Sequence, residues 1–234
     1  MLWAVLACTD LADSDVADSD PSEDSEHSDP PGVTVYGSVV DAFTREAVEG
    51  LRVEGISPPA EPVFTDAQGI WTLLVPESEW MMARSGGDGL VEVALWIKQR
   101  EGPSMEQPYS YGIGTPEQLA QLHAMVGSSA DPSRSALLMV DAIDPDNRDI
   151  PNALVHLDVP YEAAHREVQD GVWDNEPLTT PDRTDLFFTG LEEGPLTVTV
   201  TQPDGQACEG PTGVVVMAGE VTQISSYCPD RVEE

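Results

Sequence analysis

Thr65-Asp66-Ala67-Gln68-Gly69-Ile70-Trp71-Thr72-Leu73-Leu74-Val75-Pro76 is the stretch whose reading decides the fold. Asp66 and Gly69 are turn residues: a short carboxylate caps nearby backbone N–H groups, and glycine accepts a positive φ. Beyond the turn, Trp71, Leu73 and Val75 alternate with Thr72 and Leu74, which puts those three on one face of a strand. Pro76 ends the run because it has no backbone N–H to donate. A tight turn feeding a half-buried strand is the unit of an antiparallel sheet.

Working outward, the same period of two recurs. Val33, Val35 and Val39 alternate with Thr34, Tyr36 and Ser38; Leu51-Arg52-Val53-Glu54 is a short alternating run. Val91, Val93, Leu95 and Ile97 alternate with Glu92, Ala94, Trp96 and Lys98, which sets Trp96 opposite the apolar phase, either outward or, the favoured reading, in a core or domain interface. Ser57-Pro58-Pro59 and Gly86-Gly87-Asp88-Gly89 mark turns between runs. Short strands at this spacing describe a sandwich. Residues 115–126 break the pattern: Thr115 as N-cap, Pro116 at the first helical position and Gln118 completing a capping box predict a short helix. Leu119, Leu122 and Val126 form its apolar face and Gly127 ends it. Strands are expected again at 136–143, 153–159, 184–189, 195–202, 212–218 and 220–227, with Ala218-Gly219-Glu220 as the hairpin turn between the last two. The polar, Pro- and Asp-rich stretch 160–182 reads as an insertion or long loop.

The expected fold is therefore all-β: two tandem antiparallel β-sandwiches, over 33–112 and 135–234, joined by a helical connector over 113–134. With 43 Asp+Glu against 10 Lys+Arg, the net charge of −33 excludes nucleic acid as a partner, because every phosphate would meet a like charge. The same self-repulsion predicts greater stability at high salt. No stretch is apolar for long enough to cross a membrane as a helix.

Residues 9–32 carry nine acids, five Ser, three Pro and no Lys or Arg. Such a segment cannot bury enough apolar surface to offset its ordering entropy and reads as a disordered acidic tether. Ahead of it, Val5-Leu6-Ala7-Cys8 resembles the lipobox of a bacterial lipoprotein, with residues 1–8 as a truncated signal. That resemblance implies lipidation at Cys8, a membrane partner through the lipid anchor, and a place in the cell envelope. Thr9 would be the second mature residue, which leans toward the outer membrane. Cys208 and Cys228 then remain as an even pair in an exported chain and are expected to form a disulfide, with two buried thiols as the alternative.

Gly37-Ser38-Val39-Val40-Asp41, Ala47-Val48-Glu49-Gly50-Leu51-Arg52-Val53 and the Thr65–Pro76 run together resemble the carboxypeptidase regulatory-like domain, a transthyretin-like or prealbumin-like β-sandwich. The match covers about residues 33–100. Ala47 stands where that family favours Pro, and Leu51 where it favours Ala. Asp144 to Val155 and Phe187 to Val200 repeat the resemblance more faintly. It implies an accessory role in folding, spacing or adhesion, without catalysis, and names no ligand.

The residues that could carry chemistry are scattered. Asp141, Asp144, Asp146 and Asp149 cluster around a turn and could hold calcium through carboxylate oxygens; a solvated acidic turn is the other reading. His156, Asp158, Glu162 and His165, with Tyr161, are of metal-ligating type. Trp80, Trp96, Tyr109 and Tyr111 could form an aromatic platform for a glycan, or fill a core. The sequence contains no nucleophile elbow, His-Glu-x-x-His or phosphate-binding loop, so no enzyme and no cofactor is expected. The reading is a lipid-anchored envelope protein with a structural or protein-interaction role; its alternative is a carbohydrate-binding module. An unidentified protein or glycan partner goes with either.

Overall fold

The computed structural model describes residues 32–87, 89–99, 109–144, 148–169, 172–174, 178–180 and 186–229. Cys8, the tether ahead of Gly32, and Asp146 lie outside the described residues. The first half contains β1 (Gly32–Asp41), β2 (Arg52–Ser57), β3 (Pro59–Phe64), β4 (Ile70–Pro76), β5 (Trp80–Gly87), β6 (Leu90–Lys98) and β7 (Tyr109–Ile113). Helix α1 (Pro116–Val126) follows. The second half contains β8 (Ala136–Ile143), β9 (Leu154–Leu157), β10 (Ala163–Gln169), β11 (Val172–Asp174), β12 (Leu186–Leu191), β13 (Gly194–Leu196), β14 (Val198–Thr201), β15 (Val214–Val216) and β16 (Val221–Tyr227). The protein is mostly β, with one short helix.

The two halves trace one strand path twice. β1 lies between β4, antiparallel, and β7, parallel; β8 lies between β12, antiparallel, and β16, parallel. β2 pairs with β5 as β9 pairs with β14. A threonine pins the same corner in each half. The Thr65 hydroxyl donates to the Val48 carbonyl at 2.6 Å and accepts from the Leu51 N–H at 2.9 Å. The Thr180 hydroxyl donates to the Ile150 carbonyl at 2.6 Å and accepts from the Ala153 N–H at 3.0 Å. Between these partners Gly50 and Asn152 both take positive φ, 73° and 61°. Packing is exchanged by volume: opposite Trp71, Gly37 leaves no room for a Cβ, which would meet the indole at 2.1 Å. At the matching place Val140 stands opposite Leu186.

The halves do not stand as separate sandwiches on either side of a connector. They share a nine-stranded sheet in the order β11-β10-β12-β8-β16-β6-β5-β2-β3, closed at the seam by parallel pairing of β16 with β6. The expectation of purely antiparallel pairing is corrected at β1–β7, β16–β6 and β16–β8. Each face of the shared sheet carries its own core. Val53, Met81, Val93, Leu95, Leu137, Met139, Phe187 and Val221 are buried with the β4-β1-β7 sheet and the Leu119, Leu122 and Val126 face of α1. Trp96, Leu138, Val140, Leu186, Phe188 and Ile224 are buried with β9, β13, β14 and β15. Each core therefore draws on both halves.

Helix α1 follows the sequence closely. The Thr115 N–H donates to Gln118 Oε1 at 2.7 Å, the Gln118 N–H donates back to the Thr115 hydroxyl at 3.3 Å, and Gly127 closes the helix with φ 75°. Elsewhere the pattern misled. Within 160–182 the described residues are not simply loop: β10 and β11 extend the large sheet, and Thr179 bridges Leu154. Ala218-Gly219-Glu220 turns the chain but makes no hairpin, because β15 pairs with β13 whereas β16 runs into the shared sheet. β3 follows the Ser57-Pro58-Pro59 turn and carries Pro59 and Pro62, which a strand tolerates at a sheet edge, where β3 sits. β5 hid because its inward positions are Met81, Ala83 and Ser85 while Met82 points the other way, leaving no hydropathy contrast.

Candidate functional site

The seam between the halves gathers several buried polar groups, Glu220, Thr222, Gln223 and Ser226 among them. Cys208 and Cys228 form a disulfide with Cα atoms 4.1 Å apart. The expected bridge is present, but by a different route from the hairpin that suggested it. The Cys208 N–H donates to the Val200 carbonyl beside β14, and the Cys228 N–H donates to the Ile143 carbonyl of β8. The bond thus ties the covering layer of the second half to the shared sheet. Beside it Glu209 and Tyr227 exchange backbone hydrogen bonds, and the Lys98 ammonium of β6 pairs with the Glu209 carboxylate. Lys98 also lies 5.9 Å from the Trp80 ring centroid and 5.7 Å from that of Tyr227.

At the other end of the seam, Arg84 Nη2 meets Glu220 Oε2 at 3.1 Å. The Glu220 side chain is 3% exposed, and burial pushes its carboxyl up to about 7 against the opposing pull of Arg84. Glu220 Oε1, Arg84 Nε and Thr222 Oγ1 are buried there without hydrogen bonds among the described groups. Sequence reading passed over this pair because its members are 136 positions apart and meet only through the β5–β6–β16 register.

The acidic turn is less convergent than its spacing suggests. Asp144 accepts from the Arg148 N–H at 2.9 Å and from Arg148 Nε at 2.7 Å. Asp149 is exposed, and Asp141 is buried on β8. Burial, reinforced by the Asp149 charge, raises the Asp141 carboxyl to about 7, with Ser225 opposing. Among the described residues no three His, Cys, Asp or Glu side chains gather as a metal-ligating group.

The histidine set is likewise dispersed. His156 is exposed on β9, Asp158 accepts from the Thr197 N–H at 2.7 Å, and Tyr161 packs edge-on to Phe188. Glu162 is a clamp for the loop after α1: it accepts from the Ser128 hydroxyl at 2.8 Å, from the Ser129 hydroxyl, and from the Ser129 and Ala130 N–H groups at 2.9 Å each. These donors, Ser129 first, hold its carboxyl down at about 2. His165 is buried beneath α1, its Nε2 2.9 Å from the Thr189 hydroxyl.

The four aromatics divide between the two cores. Trp96 is buried, in keeping with the core or interface reading, because the face of β6 opposite the first core is covered by the second half. Tyr111 is buried in the first core, which raises its phenol above the ordinary range. Tyr109 is half-buried there, its hydroxyl donating to the Lys98 carbonyl at 2.7 Å. Trp80 is half-buried against the second core, edge-on to Tyr227. The four side chains form no common exposed platform.

Fold and site together define an all-β protein whose polar groups serve mainly to join layers. No protein-family model matches the chain, and no curated relative does. Among solved structures it is similar to the Bacillus anthracis TIE protein, at 12% identity and a TM-score of 0.30 over 85% of this chain and 33% of that one. The chain thus spans about a third of that protein. It is also similar to the shaft pilin SpaA of Lactobacillus rhamnosus GG, at 10% identity and TM-score 0.28 over 87% of this chain and all of the other. The major pilin T-13 of Streptococcus pyogenes gives 11% identity and TM-score 0.26, covering 85% and 96%. Values this low transfer neither topology nor activity. No helix among the described residues is long and apolar enough to cross a membrane.

Proposed function

We propose that the chain is a lipid-anchored, non-enzymatic protein of the bacterial cell envelope, at the outer membrane, in a structural or protein-interaction role. The observation that carries this reading is the Cys208–Cys228 disulfide. Such bonds persist in oxidising compartments outside the cytosol, and the pairing leaves Cys8 as the remaining cysteine, at the position a lipobox requires. We read the two halves as repeats of the carboxypeptidase regulatory-like kind fused through one shared sheet; the matching Thr65 and Thr180 corners support this. The test is fractionation of cells expressing the full chain and Cys8→Ala. The wild type should sediment with membranes and partition into detergent, and Cys8→Ala should move to the soluble fraction; identical partitioning would remove the anchor from the proposal.

Trp80, half-buried with the Lys98 ammonium and Tyr227 beside it, supports carbohydrate binding as a second reading. A polysaccharide pull-down that depends on Trp80 would favour it over the first.

A further inference from the structure

Helix α1 is held on the shared sheet by two attachments, one sensitive to mild acid and one not. One is apolar. Leu119, Leu122 and Val126 share a core with Leu137 and Met139 of β8 and Phe187 of β12. His123 lies in the same turn of the helix, 3% exposed, and neither ring nitrogen makes a hydrogen bond. The other attachment is the Glu162 carboxylate, which gathers four donors from Ser128, Ser129 and Ala130 just past the helix end.

The charged and titratable groups around His123 are few. β6, against which α1 packs, contributes Val91, Val93 and Leu95 to this core and leaves Glu92 exposed; β10 presents His165, bonded to Thr189 of β12, and β8 contributes Leu137 and Met139. The following loop contributes Asp131, whose carboxylate is taken up by Ser133, and β10 is preceded by Glu162. At the far end of the helix Gln118 Nε2 reaches Asp41 Oδ2 at 3.4 Å, and Glu117 is exposed. Burial dominates and lowers the His123 pKa from its ordinary 6.5; the Ala130 backbone, Glu162 and Asp131 favour the charged ring, and His165 opposes it. An imidazolium formed there would have the Ala130 backbone to answer at most one of its two N–H groups, in a contact otherwise apolar, which is less than a buried cation requires.

We infer that α1 is an acid-released flap: protonation of His123 lifts the helix from the first-core face of the shared sheet, β6 included, while the Glu162 clamp keeps its C-terminal loop in place. The sign follows from linkage. A histidine whose pKa is lower when docked than when released binds its proton preferentially in the released state. Docking is then at full strength above 6.5 and weakens as pH falls through that value. Release coupled to one proton grows by at most about tenfold per pH unit. Glu162, held near 2, stays ionised throughout. Acid acts on the rest of the fold in the other direction, because Asp141 and Glu220, both raised to about 7, are relieved of buried charge as pH falls. Local release is therefore separable from global acid unfolding. The released helix uncovers part of the first-core face of the shared sheet, an apolar surface on an otherwise strongly acidic molecule.

The experiment is amide hydrogen exchange on the full chain at pH 7.5 and 5.0, corrected for intrinsic rates. Amides of Leu119–Val126 should lose protection several-fold at pH 5.0, while those of β8 and β16 keep or gain it. In parallel, NMR titration of His123 should give a midpoint below 6.5 that coincides with the change in α1. His123→Leu should make α1 protection independent of pH; the wild-type titration stands on its own if that variant folds poorly. Unchanged α1 protection, a joint loss in α1 and β8, or an acid response that survives in folded His123→Leu would each overturn the flap.

Discussion

β1 and β8 occupy the same place in the repeated strand path and live in different solvents. β1 buries Val35, Gly37 and Val39 and leaves Thr34, Tyr36 and Ser38 half-exposed. β8 is buried at all eight positions. In register, Thr34 corresponds to Leu137, Tyr36 to Met139 and Ser38 to Asp141. The partner strands differ likewise: Thr72 of β4 is exposed, and its counterpart Phe187 of β12 is 1% exposed. A sheet with one wet face needs alternation; a sheet covered on both faces needs a continuous apolar run. β8 is covered on both faces: Leu137 and Met139 enter the first core, to which α1 contributes, and Leu138 and Val140 enter the second. Duplicating a strand path therefore preserves the pins and registers while the residues between them adapt to what lies overhead.

The sharpest way to break this comparison is to place a charge at matching outer-face positions. Met139→Lys should cost about 4 kcal/mol or more, because the ammonium is left unpaired in a dry layer, whereas Tyr36→Lys should stay within about 1 kcal/mol. Urea unfolding of both variants reads this directly, and equal losses would mean that the outer face of β8 is not sealed. Next in size is the disulfide. Cys208→Ser with Cys228→Ser should lower stability by about 3 kcal/mol, on the loop-entropy argument for a closure of 20 residues. The exchange protection lost should lie mainly in β14 and β16, with β1 and β4 little changed.

Asp141→Asn tests the one polar residue that β8 buries where β1 shows Ser38. A carboxyl raised from 3.8 to about 7 on folding binds its proton more tightly in the folded state. Its contribution to stability is present below 3.8 and is lost as pH rises toward 7. Asp141→Asn should then stabilise the protein at pH 8 by ~2 kcal/mol and flatten thermal stability across that window. Ser38→Asp, on the wetter strand, should do neither. A loss of stability in Asp141→Asn at pH 8 would show that the charged form has a partner. The smallest effect is the most symmetrical: Thr65→Val and Thr180→Val should each cost about 1–2 kcal/mol by orphaning a carbonyl and an N–H. Similar losses would sharpen the repeat, and a marked imbalance would locate the divergence at that corner.

How much was legible beforehand follows from the range of each interaction. The Thr115–Gln118 box, the Gly127 stop, the Thr65–Pro76 turn and strand, and β8 as an element were all readable, because each rests on neighbours within a few residues. So was the echo of Asp41–Val53 in Asp144–Val155. The Cys208–Cys228 pairing was readable from compartment and parity, though its route was not. Strands without hydropathy contrast, such as β5, and edge strands that tolerate Pro, such as β3, were not. The candidate site residues fared worst: the alternation of β6 places Trp96 opposite its apolar phase without saying what covers that face, and Glu162 reads as a metal-ligand type because its four donors come from a loop more than thirty residues away.

The sequence by itself determined the local elements, the helix with both its caps, the acidic excess, the duplicated turn and the pair of cysteines. Only the tertiary structure decided that the halves share one sheet, that β15 and β16 part company after Gly219, and that Arg84 meets Glu220. The physical reason is the side-chain period of a strand. It says which residues lie on the same face, but not what covers that face, nor which distant strand supplies the next row of hydrogen bonds.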